Sequence, residues 1–165
     1  HKRDRGVIAL CHMSAPEAKA SYEINVKLSK NSKPKPLYQL FLKWAISSGA
    51  DGIIVGATYP KIINYCKKIS GKKLDIYSPG IGTQGGSGKK AITSGSDFLI
   101  VGRTILGSKN PPRMAEQLWW DASGAYSNSE FLAVLDKAIE DDKVAAAKAG
   151  WVPDGRGGMK PGGTR

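Results

Sequence analysis

The chain has 165 residues, 41% of them hydrophobic, which is enough for one compact domain with a core and too little for two. Lys and Arg outnumber Asp and Glu by 25 to 14, so the net charge of +11 favours anionic partners such as phosphates, nucleic acid or an acidic protein surface. The charge alone does not choose among these partners.

The cysteines and the apolar runs argue against two further classes of protein. Cys11 and Cys66 have no metal-ligand spacing, and two cysteines do not make a disulfide framework in a chain of this size. No apolar run approaches the roughly 20 residues that span a bilayer, and we see neither a signal peptide nor a membrane anchor. We therefore expect a cytoplasmic protein with buried, reduced thiols and no membrane partner.

The N-terminal third of the sequence predicts a strand and a crossover helix. Val7 to Cys11 form a short apolar run, typical of a strand that is buried on both faces of a parallel sheet. Residues 16 to 30 predict a helix or helices, and residues 30 to 36 predict a loop. Apolar residues then recur at helical spacing from Leu37 until Gly49 stops the helix.

The same unit is then repeated along the chain. Thr58 is predicted to cap a helix that Gly71 ends. Further strands are predicted at residues 52–55, 74–77 and 98–101. A short helix is predicted through Ala91 and Ile92, and helical sequence runs from Pro111 to about Trp120. Strands that alternate with helices indicate βαβ units and a parallel sheet, so the predicted fold class is α/β.

The C-terminal region predicts one more helix and then a tail. The helix is expected over residues 129–149. Gly, Pro and basic residues crowd residues 150–165, which we expect to be disordered or to lie on the surface. The predicted organisation is one α/β domain over residues 1–149 followed by this tail.

The most informative segment is a glycine-rich loop after the third predicted strand. Five glycines occur in nine positions, and they would let backbone N–H groups converge on an anion. A flexible turn is the alternative, although turns rarely need so many glycines. The candidate binding residues here are Pro79, Gly80, Ile81, Gly82, Thr83, Gln84, Gly85 and Gly86.

Two common phosphate-binding motifs fit this loop incompletely. Gly80 to Gly85 match G-x-G-x-x-G, but that motif expects an acidic residue at the end of the next strand, where this chain has Gly102 and Arg103. Asp97 stands at the wrong end of that strand to meet a ribose. A Walker A loop also fails, because Lys90 replaces the Ser or Thr that would bind magnesium.

The fourth predicted strand ends in a second candidate anion site. Gly102 offers a backbone amide with no Cβ in the way, and the Arg103 guanidinium can grip phosphate oxygens with two hydrogen bonds. In a (β/α)8 barrel the phosphate site is commonly built from the loops after strands seven and eight and a short helix N-terminus. We therefore expect the two loops to converge on one phosphate.

These motifs, in unbroken order, resemble a known family. Residues 78–86 and 97–105 are similar to the seventh and eighth strand motifs of orotidine 5'-monophosphate decarboxylase, especially its archaeal and bacterial-like forms. Residues 49–58 are similar to its sixth strand, and Met13-Ser14 to the turn after its fifth. The resemblance spans residues 6–112 and implies the C-terminal four βα units of a (β/α)8 TIM barrel.

The resemblance also implies roles for the matching residues. Gly102 and Arg103 would hold the 5'-phosphate, and Gln84 would bridge the phosphate and the pyrimidine. Ser14 would hydrogen-bond the pyrimidine ring, although a cap for the helix that follows is an alternative role for it. Backbone groups from Pro79 to Lys89 would close over the phosphate.

The implied reaction converts orotidine 5'-monophosphate to uridine 5'-monophosphate and CO2 in de novo pyrimidine synthesis, without metal or organic cofactor. The family's catalytic Asp-x-Lys-x-x-Asp array lies on its third strand, which this sequence does not reach, so we expect no catalytic residue here. Lys72 and Asp75 share part of that spacing but precede a strand, at the barrel's opposite mouth.

Four strands cannot close an eight-stranded barrel, so an open half-sheet would expose unpaired edges and an apolar inner face. We therefore expect this half to be inactive without an N-terminal half, which is a separate chain, part of a longer precursor, or replaced by a second copy. The resemblance further implies a homodimer of the complete barrel.

Two rival functions remain open from the sequence. A related sugar-phosphate decarboxylase or epimerase would share the phosphate loops, although Gln84 argues against it. The basic tail, with Gly155-Arg156-Gly157-Gly158, would instead suit a non-catalytic protein that binds nucleotides or nucleic acid.

Overall fold

A computed structural model of the chain describes residues 5–27, 29–124, 151–153 and 159–161. The strands are β1 (Ile8–His12), β2 (Asn25–Val26), β3 (Lys35–Pro36), β4 (Gly52–Val55), β5 (Asp75–Pro79), β6 (Phe98–Ile100), β7 (Trp151–Pro153) and β8 (Met159–Pro161). The helices are α1 (Ala18–Tyr22), α2 (Leu37–Ser47), α3 (Pro60–Ser70), α4 (Gly88–Thr93), α5 (Arg103–Leu106) and α6 (Pro111–Ser123). The chain divides into two units, His1–Ala125 and Tyr126–Arg165.

The first unit is built on a parallel sheet with the strand order β1-β4-β5-β6. Each strand of this sheet pairs with the next strand of the sheet along the chain, and all three pairings are parallel. The predicted α/β class is therefore confirmed. Each of the four predicted strands is present, with ends that differ by no more than two residues from the prediction.

The register gives this sheet two faces in very different environments. On one face Cys11, Ile53 and Ile76 are fully buried in the core, beneath a layer that includes α2 and α3. On the other face Leu10 and Phe98 lie in line across the paired strands and remain 45% and 49% exposed. The predicted exposure of an apolar inner face is thus confirmed.

The same observation corrects the expectation that the first strand is buried on both faces. Ile8 and Leu10 of β1 are nearly half exposed, whereas Cys11 is completely buried. The apolar run suits a strand with a layer on each side. Among the described residues, only one of those layers is present.

The helices α2 and α3 follow the predicted apolar spacing. Ile62, Ile63 and Cys66 of α3 are buried, and Gly71 ends the helix with a positive φ of 60°. The predicted capping by Thr58 is wrong, because α3 starts at Pro60 and the Thr58 hydroxyl donates elsewhere, to Ser14 O at 2.9 Å.

Both cysteines are free and buried, as predicted. The Cys11 thiol donates to Tyr38 O at 3.3 Å. The side-chain hydrogen bond with Cys11, together with burial, raises the pKa of the Cys66 thiol. The Cys66 thiol therefore stays protonated, and both buried side chains act as small packing groups of the core.

The segment between β1 and α2 differs from its prediction. Of its described residues, only Ala18–Tyr22 (α1) are helical, and β2 then pairs antiparallel with β3 where a helix and a loop were expected. Ile24 and Val26 are β-branched and favour extended backbone, which shortens the helix. Leu37 N donates to Ile24 O at 2.9 Å and joins this hairpin to the start of α2.

In the second unit, β7 and β8 form an antiparallel pair. These six residues lie in the tail, which was expected to be disordered or to lie on the surface, and the expectation for the tail as a whole stays a prediction. The helix expected over residues 129–149 lies outside the described residues, so it and the domain boundary at residue 149 stay predictions. No helix in the described ranges is long and apolar enough to cross a membrane.

Candidate functional site

The loops that follow the parallel strands contact one another at the carboxyl edge of the sheet. Gly56 N, just after β4, donates to His12 O at the end of β1 at 3.0 Å. Ala57 N donates to Pro79 O at the end of β5 at 2.8 Å. The loop after β4 therefore fastens the loops on either side of it, which carry the predicted binding residues.

The glycine-rich loop after β5 is closed by its own backbone. Gly82 N donates to Gly86 O at 3.0 Å, Gly85 N to Gly82 O at 2.7 Å, and Gly86 N to Gly80 O at 3.0 Å. Gly80, Gly82 and Gly85 have positive φ angles of 94°, 76° and 82°. Such internal bonding is not expected of a simple flexible turn, and it holds the loop in one compact conformation.

Ser14 and Gln84 meet at this loop although they are 70 residues apart. The Ser14 hydroxyl donates to Gln84 Oε1 at 3.0 Å. A Cβ on Gly80 would lie 2.6 Å from Ser14 Cβ and 3.0 Å from Gln84 Oε1, so the contact needs a glycine there. Ser14 does not cap α1, whose N-cap residue is Glu17, and that alternative is wrong.

The turn after β6 is joined to the glycine loop through Thr104. The Thr104 hydroxyl donates to Ile81 O at 2.8 Å and accepts from Thr83 N at 3.2 Å. A Cβ on Gly82 would collide with the same Thr104 side chain. The sequence reasoning missed this residue, and its only signal was a hydroxyl directly after the Gly102-Arg103 pair.

Gly102 and Arg103 open a four-residue helix at this joint. Gly102 is the N-cap of α5, and Arg103 is its first residue, with an exposed side chain. The first N–H groups of a helix have no partner within it and favour an anion. Within the described residues Arg103 forms no ion pair, so its guanidinium remains available to a ligand.

The edge thus combines two kinds of donor for an anion. One kind is the backbone N–H groups of a short helix and a glycine loop, and the other is the guanidinium next to them. A barrel commonly holds a phosphate with a short helix after its last strand. The Ser14–Gln84 pair adds neutral hydrogen-bonding groups beside this point, which suits the polar atoms of a base.

Asp97, Lys72 and Asp75, which the sequence analysis excluded from the binding site, lie outside it. Asp97 forms an ion pair with Lys67, with Nζ–O distances of 2.7 and 2.8 Å, and accepts from Ile76 N at 2.8 Å. It therefore fixes the start of β6 structurally. Lys72 and Asp75 are exposed where β5 begins, at the opposite edge from the loops.

Other candidate sites do not include the predicted residues. A cavity of about 490 Å³ lies between the β2–β3 hairpin, α2 and α3, and none of the predicted binding residues lines it. Among the described residues, no group of three His, Cys, Asp or Glu side chains is placed to hold a metal ion.

Comparison with known proteins gives consistent results. The model of the orotidine 5'-phosphate decarboxylase / HUMPS family matches residues 1–118. Orotidine 5'-phosphate decarboxylase of Methanosarcina acetivorans is 39% identical over 84 residues, which are 51% of this chain and 38% of that protein.

Solved structures show the same relationship. Orotidine 5'-phosphate decarboxylase of Pyrococcus horikoshii OT3 is 30% identical with a TM-score of 0.58, over 73% of this chain and 52% of that one. The Methanocaldococcus jannaschii enzyme, complexed with the inhibitor BMP, is 26% identical with a TM-score of 0.58, over 70% and 49%. The sheet therefore belongs to the barrel fold of these proteins. The chain spans about two fifths of the length of the curated relatives it matches.

Proposed function

Because the chain belongs to the orotidine 5'-phosphate decarboxylase / HUMPS family, we propose that it supplies the phosphate- and pyrimidine-binding half of an orotidine 5'-phosphate decarboxylase. The complete enzyme would be a carbon–carbon lyase of pyrimidine biosynthesis that releases CO2 and uridine 5'-monophosphate. The observation that carries the proposal is the junction at Thr104, which joins the glycine loop to the turn that begins with Gly102 and Arg103.

Each group at this edge has a proposed role. Arg103 and the N–H groups that follow Gly102 hold the 5'-phosphate, and the backbone of residues 79–86 closes over it. Gln84 bridges the phosphate and the ring, and Ser14 bonds the ring. The contact between Ser14 and Gln84 supports this assignment, because it places both side chains where one ligand can reach them.

The exposed apolar face of the sheet, which carries Leu10 and Phe98, is called the bare face below. The catalytic residues are proposed to come from an N-terminal half that packs on this bare face. Its Asp-x-Lys-x-x-Asp segment would act on the ring while this chain binds the phosphate, so that remote binding energy stabilises the transition state. The chain by itself is then inactive. We further propose that the completed barrel acts as a homodimer in the cytoplasm, with no cofactor.

The relatives argue against the two rival functions. The matching proteins of Methanosarcina acetivorans, Methanococcoides burtonii and Pyrococcus abyssi are each named orotidine 5'-phosphate decarboxylase, and none of these three is named a sugar-phosphate enzyme or a nucleic-acid-binding protein. The exposed Gln84, which meets Ser14, also offers an amide suited to a base. The tail lies beyond the residues that the family model matches, so the proposal does not depend on it.

The test follows the loss of orotidine 5'-monophosphate absorbance, with this chain alone and with the N-terminal half of the Methanosarcina acetivorans relative added. We expect no turnover from either half and turnover from the mixture. Uridine 5'-monophosphate binding to this chain, measured by calorimetry, checks the site without the partner. If the mixture is silent and the chain does not bind the nucleotide, the proposal is wrong.

A further inference from the structure

The cavity between the β2–β3 hairpin, α2 and α3 has an apolar interior. Its volume is about 490 Å³, and pockets that bind small molecules usually measure about 300–1,000 Å³. Leu40 and Leu42 of α2 are buried at its floor, and Tyr65 of α3 is half-buried beside them. Six of the twelve lining residues carry aliphatic or aromatic side chains, so the interior suits a ligand with an apolar body.

The charged residues that line the cavity are all lysines. Lys33, Lys35 and Lys43 are exposed, and none of them forms an ion pair with another described residue. No Asp or Glu belongs to the lining, and the sequence between Glu23 and Asp51 contains five lysines and no acidic residue. Ammonium groups therefore surround the apolar interior, and the described residues provide no carboxylate there to neutralise them.

The local sequence explains why two of these lysines act together. Lys33 and Lys35 each precede a proline, and a residue before proline favours an extended backbone. Side chains two residues apart on an extended chain point to the same side, which here is the side of the cavity. Lys35 also pairs directly with Val26 across the hairpin, so a charged and an apolar lining residue are neighbours on this wall.

The third lysine comes from a second wall of the cavity. On α2, Lys43 lies one helical turn after Gln39 and one turn before Ser47, and all three line the cavity. Ile69 of α3 lines it as well and is 55% exposed, so part of the apolar lining reaches the surface. The opening thus combines an apolar edge with positive charge.

We propose that this cavity binds a small amphipathic anion, whose aliphatic chain fills the apolar interior and whose carboxylate meets Lys33, Lys35 and Lys43. Lysine is a flexible point charge, which suits an acidic head group that is not held in one fixed geometry. Burial of the chain supplies most of the affinity, and the lysines select a negative charge. This inference does not rest on the function proposed above.

The position of the cavity keeps it apart from the proposed nucleotide site. It lies in the helical layer, on the other side of the sheet from the bare face, and none of the predicted phosphate- and ring-binding residues lines it. An N-terminal half that packs on the bare face would leave it open. The nucleotide and the amphipathic anion therefore bind independently.

The experiment titrates decanoate and octanoate into this chain and follows the backbone amide shifts by NMR. We expect saturable shifts confined to residues 25–26, 32–36, 39–47 and 65–69. Decanoate should bind about tenfold more tightly than octanoate, because it buries two further CH2 groups. 1-Octanol, which has the chain length of octanoate but no charge, should bind severalfold more weakly than octanoate.

The role of the lysines is tested by removing their charges. The triple variant Lys33→Gln/Lys35→Gln/Lys43→Gln should weaken decanoate binding by about tenfold, because three exposed charges each contribute a small attraction. The binding of 1-octanol should not change in this variant, since the neutral head group makes no use of the lysines.

A matched triple variant controls for the net charge of the chain. Lys68, Lys72 and Lys73 are exposed and do not line the cavity. Lys68→Gln/Lys72→Gln/Lys73→Gln should keep the decanoate affinity within about twofold, because salt screens charges that are remote from the ligand. Equal weakening in the two triple variants would mean that net charge alone attracts the ligand, and the inference would be wrong.

The apolar interior is tested by a second matched pair. Ile69→Asp places a carboxylate in the lining and should weaken decanoate binding by at least about tenfold. Leu10→Asp places the same charge on the bare face, at a side chain that is 45% exposed, and should leave the affinity unchanged. The reverse result would assign the aliphatic chain to the bare face and overturn the inference.

Two further outcomes would also contradict the proposal. One is a set of amide shifts that spreads over both faces of the sheet without saturation. The other is a change of the cavity amides with protein concentration that decanoate does not reverse, which would make the cavity an interface between copies of the chain. A chain that binds decanoate as described but not uridine 5'-monophosphate would support the inference and contradict the proposed function.

Discussion

The two faces of the parallel sheet are built from the same kinds of residue but have opposite surroundings. Ile76 is fully buried under the helices, whereas Ile100, on the neighbouring strand, is nearly half exposed on the bare face. The covered face accounts for the core of the first unit. The difference teaches that, among the described residues, one side of the sheet has its covering layer, whereas the other side has the composition of an interior without one.

The largest expected effect comes from a matched pair of isoleucine substitutions. Ile76→Ala should lower the free energy of unfolding by about 2–5 kcal/mol, because it leaves a cavity in a packed core. Ile100→Ala should cost less than about 1 kcal/mol, because its side chain is already partly in water. Urea unfolding of both variants measures the difference. Equal losses would mean that the bare face is covered in solution, for example by a second copy of the chain.

The second prediction concerns the partner of the bare face. Leu10→Asp should weaken association with an N-terminal half by about 100-fold, because the charge would be buried without a partner on assembly. Trp44→Asp is the control, since Trp44 is also about half exposed but lies on α2, in the helical layer. Titration of the added half, followed by turnover, gives the affinities. A similar loss for both variants would contradict a specific role for the bare face.

The third prediction concerns the carboxyl edge of the sheet, where the glycine-rich loop and the Gly102-Arg103 turn lie, and which we call the rim. Arg103→Ala should weaken uridine 5'-monophosphate binding by about 10- to 100-fold, because a charge-assisted hydrogen bond to the phosphate is lost. Lys72→Ala removes one positive charge at the opposite edge and should leave the affinity within about twofold. Calorimetry on the chain alone tests both variants. Equal affinities for the two would remove Arg103 from the site.

The covered face was largely predictable from the sequence, and the rim only in part. Apolar residues at helical spacing located α2 and α3, since burial against one layer produces a local period, and short continuous apolar runs located the four parallel strands. The hairpin of β2 and β3 was missed because Lys35 and Pro36 carry no strand signal of their own and are defined by their pairing with Asn25 and Val26. Strand formation there depends on a distant partner, which no local pattern reports.

At the rim, the glycine loop and the Gly102-Arg103 turn were recognisable because glycine and arginine have few structural uses in such positions. The bridging role of Thr104 was not recognisable, since a hydroxyl is common in loops and only the fold brings it to Ile81 O. The support of Ser14 by Thr58 was misread as a helix cap for the same reason. A side chain that donates a hydrogen bond to a carbonyl far away in the chain produces no periodic pattern in the sequence.

The smallest expected effect separates backbone strain from contact at the rim. Gly82 and Gly85 both have positive φ angles, but a Cβ on Gly82 would meet the Thr104 side chain, whereas a Cβ on Gly85 would meet nothing within 4 Å. Gly85→Ala should therefore cost about 1 kcal/mol of stability from strain alone. Gly82→Ala should add a severalfold loss of uridine 5'-monophosphate affinity, because displacement of Thr104 separates the two loops. If both variants lose affinity equally, the Thr104 junction does not hold the loops together, and the rim is organised by backbone conformation alone.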